Sequence, residues 1–144
     1  MTYKKQVYLA GASKNEPDEG CGWREKLVSD WRGMGFDIIN PLSYFRYSEN
    51  WHQSDKQVKE YYLSRIKDCG AVIVNLNNSD SSCGTCQEIQ YAVDHNVPVI
   101  GFGHENVYNW LLVDCQCVFD TAEEAMRYFY EYYVLCIYIC KIFS

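Results

Sequence analysis

The residues with most chemistry in the smallest space are Asp80-Ser81-Ser82-Cys83-Gly84-Thr85-Cys86-Gln87-Glu88. They follow Ala71-Val72-Ile73-Val74-Asn75-Leu76, an apolar, β-branched run that predicts a buried parallel strand. They precede Ile89-Gln90-Tyr91-Ala92-Val93, which continues as a helix. Strand, Ser/Gly/Thr-rich loop and helix N-terminus together offer backbone N–H groups to an anion and set a carboxylate beside them. In open α/β sheets this loop lies outside the carboxyl ends of the strands, where ligands bind. Ser82 and Gly84 are placed to hold a phosphate or sugar oxygen, and Glu88 to act on what is held. Thr85-Cys86-Gln87-Glu88 also fits a capping box, in which Glu88 would only satisfy the Thr85 N–H.

The elements that must position this loop alternate along the chain. Strands are predicted at Gln6–Ala10, Phe36–Ile39, Ala71–Leu76, Val97–Phe102 and Gln116–Phe119. Between them, Trp23, Leu27, Trp31 and Met34 mark a helix, as do Val58, Tyr62 and Ile66 within Lys56–Lys67. A further helix runs from the key loop to His95, and a last one opens at Thr121, an N-cap with Glu124 at the box position. Gly103–Leu112 reads as a loop or short helix. Alternating strands and helices imply an α/β domain: a parallel five-stranded sheet with helices on both faces. The chain, 1–144, is expected to be a single domain with a core over about 6–133 and an apolar tail over 134–144, too short to span a bilayer as a helix. The aromatic stretch Leu42–Ser54 reads as a lid over the ligand or a contact between subunits.

Composition removes several functions. A net charge of −6 without a basic stripe argues against a nucleic-acid polymer as partner. The first residues are polar and lack an apolar run, so a cytoplasmic location is expected, with no membrane role. Of the 8 cysteines, Cys69, Cys115, Cys117, Cys136 and Cys140 sit in apolar or strand-like runs and read as small buried hydrophobes. Cys83 and Cys86 form a C-x-x-C, which raises a thiol-redox or zinc reading; zinc would need Cys115 or Cys117 brought in by the fold. His52, His95 and His104 have no visible partner. Arg24 pairs with Glu19 or Glu25, the simpler reading, or lines the site, and Trp23 and Trp31 belong to the core.

An ordered set of markers resembles a known family. They are Tyr8-Leu9-Ala10-Gly11, Trp23-Arg24, Asn40-Pro41, Leu63-Ser64-Arg65-Ile66, Val72-Ile73-Val74-Asn75, Ser82 through Glu88, Ala92 and Val97-Pro98-Val99-Ile100-Gly101. Together, over about residues 6–133, they resemble the nucleoside 2-deoxyribosyltransferase family. The resemblance implies a flavodoxin-like, doubly wound fold. It implies cleavage or transfer of the N-glycosidic bond of a 2′-deoxynucleoside or its 5′-monophosphate, without a metal or organic cofactor. It assigns Glu88 as the nucleophile, Tyr8 as its orienter, and Gly11, Ser82, Gly84 and Thr85 to the substrate cradle. In the monophosphate-preferring branch a Ser occupies the place of Ser82; elsewhere an Asp does, and Asp80 lies near enough to substitute. The family's usual Asp-Leu is here Tyr62-Leu63. Either Asp55, Glu60 or Asp68 supplies the missing carboxylate, or activity is reduced, leaving a non-catalytic nucleotide-binding or sensing module. The family also implies a homo-oligomer, with Asn109 and Trp110 as residues that could reach a neighbouring site.

Overall fold

The computed structural model describes residues 5–44 and 54–136. Most of the aromatic stretch after Tyr44 and the end of the apolar tail therefore lie outside the described residues. Five strands, β1 (Gln6–Gly11), β2 (Asp37–Ile39), β3 (Ala71–Asn75), β4 (Val99–Phe102) and β5 (Cys117–Phe119), form one parallel sheet in the order β2-β1-β3-β4-β5. Helices α1 (Cys21–Asp30), α2 (Asp55–Lys67), α3 (Cys83–Asp94), α4 (Asn109–Leu112) and α5 (Ala122–Phe129) connect and follow them. A π-helical turn, Tyr130–Leu135, continues α5. This is the flavodoxin-like strand order, and its direction of winding reverses between β1 and β3.

Alternation along the strands sorts the core into two layers. Val7 and Leu9 of β1 and Ile73 of β3 face α1 and α5, where they meet Leu27, Met126 and Phe129. Tyr8 and Ala10, with Val72 and Val74, face the opposite side, against Ile66 of α2 and Ile89 and Ala92 of α3. Residues of β1 from Val7 to Ala10 are wholly enclosed. A strand covered on both faces has no room for a polar side chain without a purpose. Tyr8, in the middle of β1 and wholly enclosed, is the exception.

Helix ends follow local chemistry. Ser54 caps α2 by accepting from the Gln57 N–H at 3.2 Å, and Thr121 caps α5 through the Glu124 N–H at 3.2 Å. The Glu124 carboxylate returns to the Thr121 hydroxyl, at 2.9 Å, rather than to its N–H as in a full capping box. Helix α1 ends at Asp30, earlier than the Trp23-to-Met34 stripe predicts. Gly33 and Gly35 adopt φ of 78° and 89°, the chain leaves the helix, and Met34 is left 40% exposed outside the core. Strand β4 begins at Val99 because Pro98 lacks an N–H for the ladder; its carbonyl instead accepts from Val72 at 2.8 Å. Among the described residues no helix is long and apolar enough to cross a membrane.

Phe129 anchors the α1/α5 layer, edge-on to Phe36 at 5.2 Å and stacked on Tyr133 at 5.8 Å. It is fully enclosed, so Phe129→Ala leaves a cavity that the sheet cannot fill. The expected loss is about 3–5 kcal/mol of unfolding free energy, read from urea midpoints at unchanged slope.

Candidate active site

The reversal between β1 and β3 opens a crevice at the carboxyl edge of the sheet. It holds a cavity of about 620 Å³. One wall is the β1 end and its loop, with Tyr8, Gly11, Ser13, Lys14 and Asn15. The second is the start of α3, with Ser82, Cys83, Gly84, Thr85, Gln87 and Glu88. The third is α2 with Asp55, Val58, Lys59, Tyr62 and Leu63, backed by Pro41 and Leu42.

Of the expected site residues, Glu88, Tyr8, Gly11, Ser82, Gly84, Thr85 and Tyr62 all line this cavity. Asp80 does not. It lies in a 3-10 turn, Ser79–Ser81, exposed and outside the lining, with its N–H donating to the Asn106 carbonyl at 3.3 Å. That turn carries the chain sideways before α3 begins and takes the carboxylate with it.

The key loop is shorter than expected, because helix α3 starts at Cys83, with Ser82 as its N-cap residue. The Ser82 hydroxyl makes no capping bond; it pairs with the Thr85 hydroxyl at 2.7 Å. The first N–H groups of α3 therefore stay without a side-chain cap at the cavity wall, with the positive end of the helix behind them. Thr85 is buried as the third helical residue, so the capping-box role for Glu88 has no place to act. Gly84 has open space where a side chain would project, which leaves the backbone accessible.

Glu88 lies one turn beyond Gly84, partly open to the cavity and otherwise enclosed. Burial pushes its carboxyl up to about 7, against the opposing influence of the Tyr8 hydroxyl and then the Arg24 charge. The Tyr8 hydroxyl is itself buried without a partner of good hydrogen-bond geometry. It faces Glu88 closely enough to act on it, a contact looser than a formed bond. Burial first, then the Glu88 charge, raises the Tyr8 phenol well above its ordinary value, so it remains a proton donor.

Of the two readings of Arg24, lining the site holds and the ion pair with Glu19 or Glu25 does not. The side chain is buried, 2% exposed, and bonded to three backbone carbonyls: Gly20 at 2.8 Å, Gly11 at 2.9 Å and Leu9 at 3.3 Å. It closes both ends of the loop after β1. Gly11 leaves little space for a side chain, since a Cβ would meet Asn75 Cβ at 3.0 Å. Gly20, at φ 75°, would press a Cβ against the Ala12 carbonyl oxygen at 2.6 Å. Asp18 completes the loop by accepting from the Gly20 and Gly22 N–H groups, both at 2.9 Å; these two bonds, Gly22's the stronger, hold its carboxyl below the usual range.

The Tyr62 hydroxyl donates to the Pro41 carbonyl at 2.8 Å, which fixes the ring as a wall of the cavity. Of the three acids considered as substitutes for the family carboxylate, Asp55 alone is in the lining. Lys14 and Lys59 were not anticipated. Asp55, Lys59, Tyr62 and Leu63 fall on one helical stripe, and that spacing was the available signal for Asp55 and Lys59. Among the described residues no group of three His, Cys, Asp or Glu side chains is placed to hold a metal ion.

The sequence profile of the family described as nucleoside 2-deoxyribosyltransferase matches residues 7–125. The chain belongs to that family. The fold is similar to a 2-desoxiribosyltransferase from Leishmania mexicana (TM-score 0.72, 22% identity, 90% of this chain and 99% of that one). It is also similar to a 2-deoxyribosyltransferase from Bacillus psychrosaccharolyticus (TM-score 0.65, 18% identity, 83% and 88%). A conserved protein from Enterococcus faecalis V583 matches with a TM-score of 0.61 at 12% identity, over 85% and 94% of the two chains. A comparison with curated protein sequences returns no match.

The Glu88 shift has a consequence for stability. An unfolded glutamate titrates near 4.5 and the folded one near 7. Below the lower value both states are protonated and nothing is lost. Between the two values the native state progressively loses stability, and above about 7 the cost is complete, on the order of 3 kcal/mol. Glu88→Gln removes that cost. Its gain over the parent chain should be near zero at the acid end and grow with pH to its full value in denaturant titrations above neutrality.

Proposed function

We propose that the protein cleaves the N-glycosidic bond of 2′-deoxynucleosides or their 5′-monophosphates through a covalent deoxyribosyl intermediate on Glu88. The observation that carries this reading is the carboxyl of Glu88 in the cavity wall, faced by a buried Tyr8 hydroxyl that lacks another partner. A glutamate that only capped a helix would need neither.

In the first step a carboxylate oxygen of Glu88 attacks C1′ and forms an ester bond. The C1′–N bond breaks, its electron pair goes to the base nitrogen, and the base takes up a proton. In the second step a nitrogen of another base, or water, attacks C1′ and gives its proton to the group that protonated the leaving base; the ester bond breaks and the carboxylate returns. Two displacements at one carbon retain its configuration, as in retaining glycosidases. The Tyr8 hydroxyl orients the attacking oxygen, and Arg24 favours the ionised carboxylate that must attack. A carboxylate with a raised pKa is also the more nucleophilic once ionised. The N-terminus of α3, with Ser82 and Gly84, takes the sugar or its phosphate. Lys14 and Lys59 in the lining support an anionic substrate, and with it the 5′-monophosphate. Asp55 is the lining acid available to protonate the leaving base. No metal or organic cofactor enters either step.

Self-association belongs to the proposal, on the ground that Trp110 of α4 is 74% exposed and stacked on Tyr108. A second reading, a nucleotide-binding module without turnover, is favoured by Tyr62, which stands where the family has an acid and whose hydroxyl is committed to Pro41.

The test is base release. Each 2′-deoxynucleoside and its 5′-monophosphate is incubated with the protein, with and without a second free base, and products are followed by chromatography. Release without an acceptor identifies a hydrolase; exchange only with one identifies a transferase. Glu88→Ala should lower turnover by about a thousandfold or more. For the parent protein kcat/KM should fall on the acid side of about 7, as Glu88 gains its proton. Binding without release, unaffected by Glu88→Ala, would establish the second reading instead.

A further inference from the structure

Two side chains at the cavity wall have no part in the glycosidic chemistry: the thiols of Cys83 and Cys86, three residues apart. Cys83 is the first residue of α3 and Cys86 the fourth. Residues three apart in a helix share a face, and ideal geometry puts their α-carbons about 5 Å apart, inside the roughly 4.4–6.8 Å that a disulfide spans. Cys83 is exposed and lines the cavity, and the Gln87 side-chain amide donates to its Sγ at 3.4 Å. Cys86 is half-buried, with Sγ 3.9 Å from the Ser79 carbonyl oxygen. Burial, and then the Cys83 charge, pushes its thiol up, which leaves Cys83 to react first. The other cysteines of the core are poor nucleophiles: Cys21 and Cys69 are buried, and burial pushes Cys115 up to about 12.

We propose that Cys83 and Cys86 are a reversible dithiol–disulfide pair, oxidised by a peroxide, whose closure reshapes the cavity wall and shuts off substrate binding. The Cys83 thiolate attacks the peroxide; an S–O bond forms, the O–O bond breaks, and hydroxide leaves. The Cys86 sulfur then attacks the resulting sulfenic acid. The S–S bond forms, the S–O bond breaks, and the hydroxyl leaves as water with the thiol proton. Two thiols have lost two electrons and the peroxide has gained them. Closure draws both sulfurs from their present partners, Gln87 and Ser79. Gly84 and Thr85 lie between the linked residues, so their N–H groups and the Ser82–Thr85 hydroxyl pair move with the bridge. The effect on substrate rests on the reading of this cavity given above; the thiol chemistry does not.

The reduced protein is treated with hydrogen peroxide, free thiols are alkylated, and peptides are mapped by mass spectrometry. A Cys83–Cys86 crosslink that dithiothreitol reverses is expected. The oxidised protein should release base about tenfold more slowly or worse, and recover on reduction. Cys86→Ala should keep its reduced activity and trap the sulfenic acid at Cys83, detected with dimedone. Equilibrium dialysis of thymidine 5′-monophosphate against both forms repeats the comparison without turnover. A protein that binds but never releases base therefore refutes the glycosidic reading while this one is still decided. The proposal is overturned if both cysteines are recovered alkylated after peroxide, or if the crosslinked protein binds and turns over substrate like the reduced one.

Discussion

A single guanidinium, buried beneath the carboxyl edge of the sheet, is the constraint on which the rest of the site depends. Arg24 reaches from α1 to the carbonyls of Leu9, Gly11 and Gly20, and so ties the end of β1 to both ends of the loop that follows it. Carbonyl oxygens at a strand end and in a glycine turn would otherwise be buried without donors, each costing about 1–3 kcal/mol. The same cation lies in the field of Glu88 and Tyr8. It therefore performs two tasks with one charge: it supplies donors to a backbone that has left the sheet, and it offsets part of the penalty for enclosing an acid. Its planar fork suits three divergent acceptors in a way an ammonium would not.

Around that anchor, α3 brings together two demands that oppose each other. Its N-terminus favours an anion in the cavity, whereas Glu88, one turn on, is held where water cannot easily solvate its own negative charge. The result is a carboxyl poised near neutrality rather than a saturated acid or a fully ionised one. Tyr62 shapes the same space from the opposite wall by volume rather than charge, since its hydroxyl is committed to Pro41.

Much of this was readable before the fold was known, and the boundary between what was and was not has physical causes. The strands β1 and β3 were plain because both of their faces are covered, so their apolar runs are unbroken. The order in which strands pair is not a local property, and here it came from the family resemblance alone. The Glu88 position was legible while its role was ambiguous, because Thr85 and Glu88 stand at capping-box spacing and the Tyr8 that faces Glu88 comes from a strand far away in sequence. Arg24 was left between a surface ion pair and the site lining because charged residues ordinarily sit in water, and nothing local signals that three carbonyls await it. Met34 followed the helical period but fell beyond a helix that glycines had already ended. Asp80 was close in sequence to the cavity and was turned away by a few residues of 3-10 geometry.

Both outermost strands among the described residues, β2 and β5, are three residues long. A rim that short exposes few unpaired N–H and C=O groups, and gives an incoming extended chain little on which to build another ladder rung. The sheet is thus poorly suited to growth by strand addition. What the described residues offer to another chain is therefore the side chains of helices and loops, a mode of contact that geometry can limit to a closed assembly rather than an open fibre.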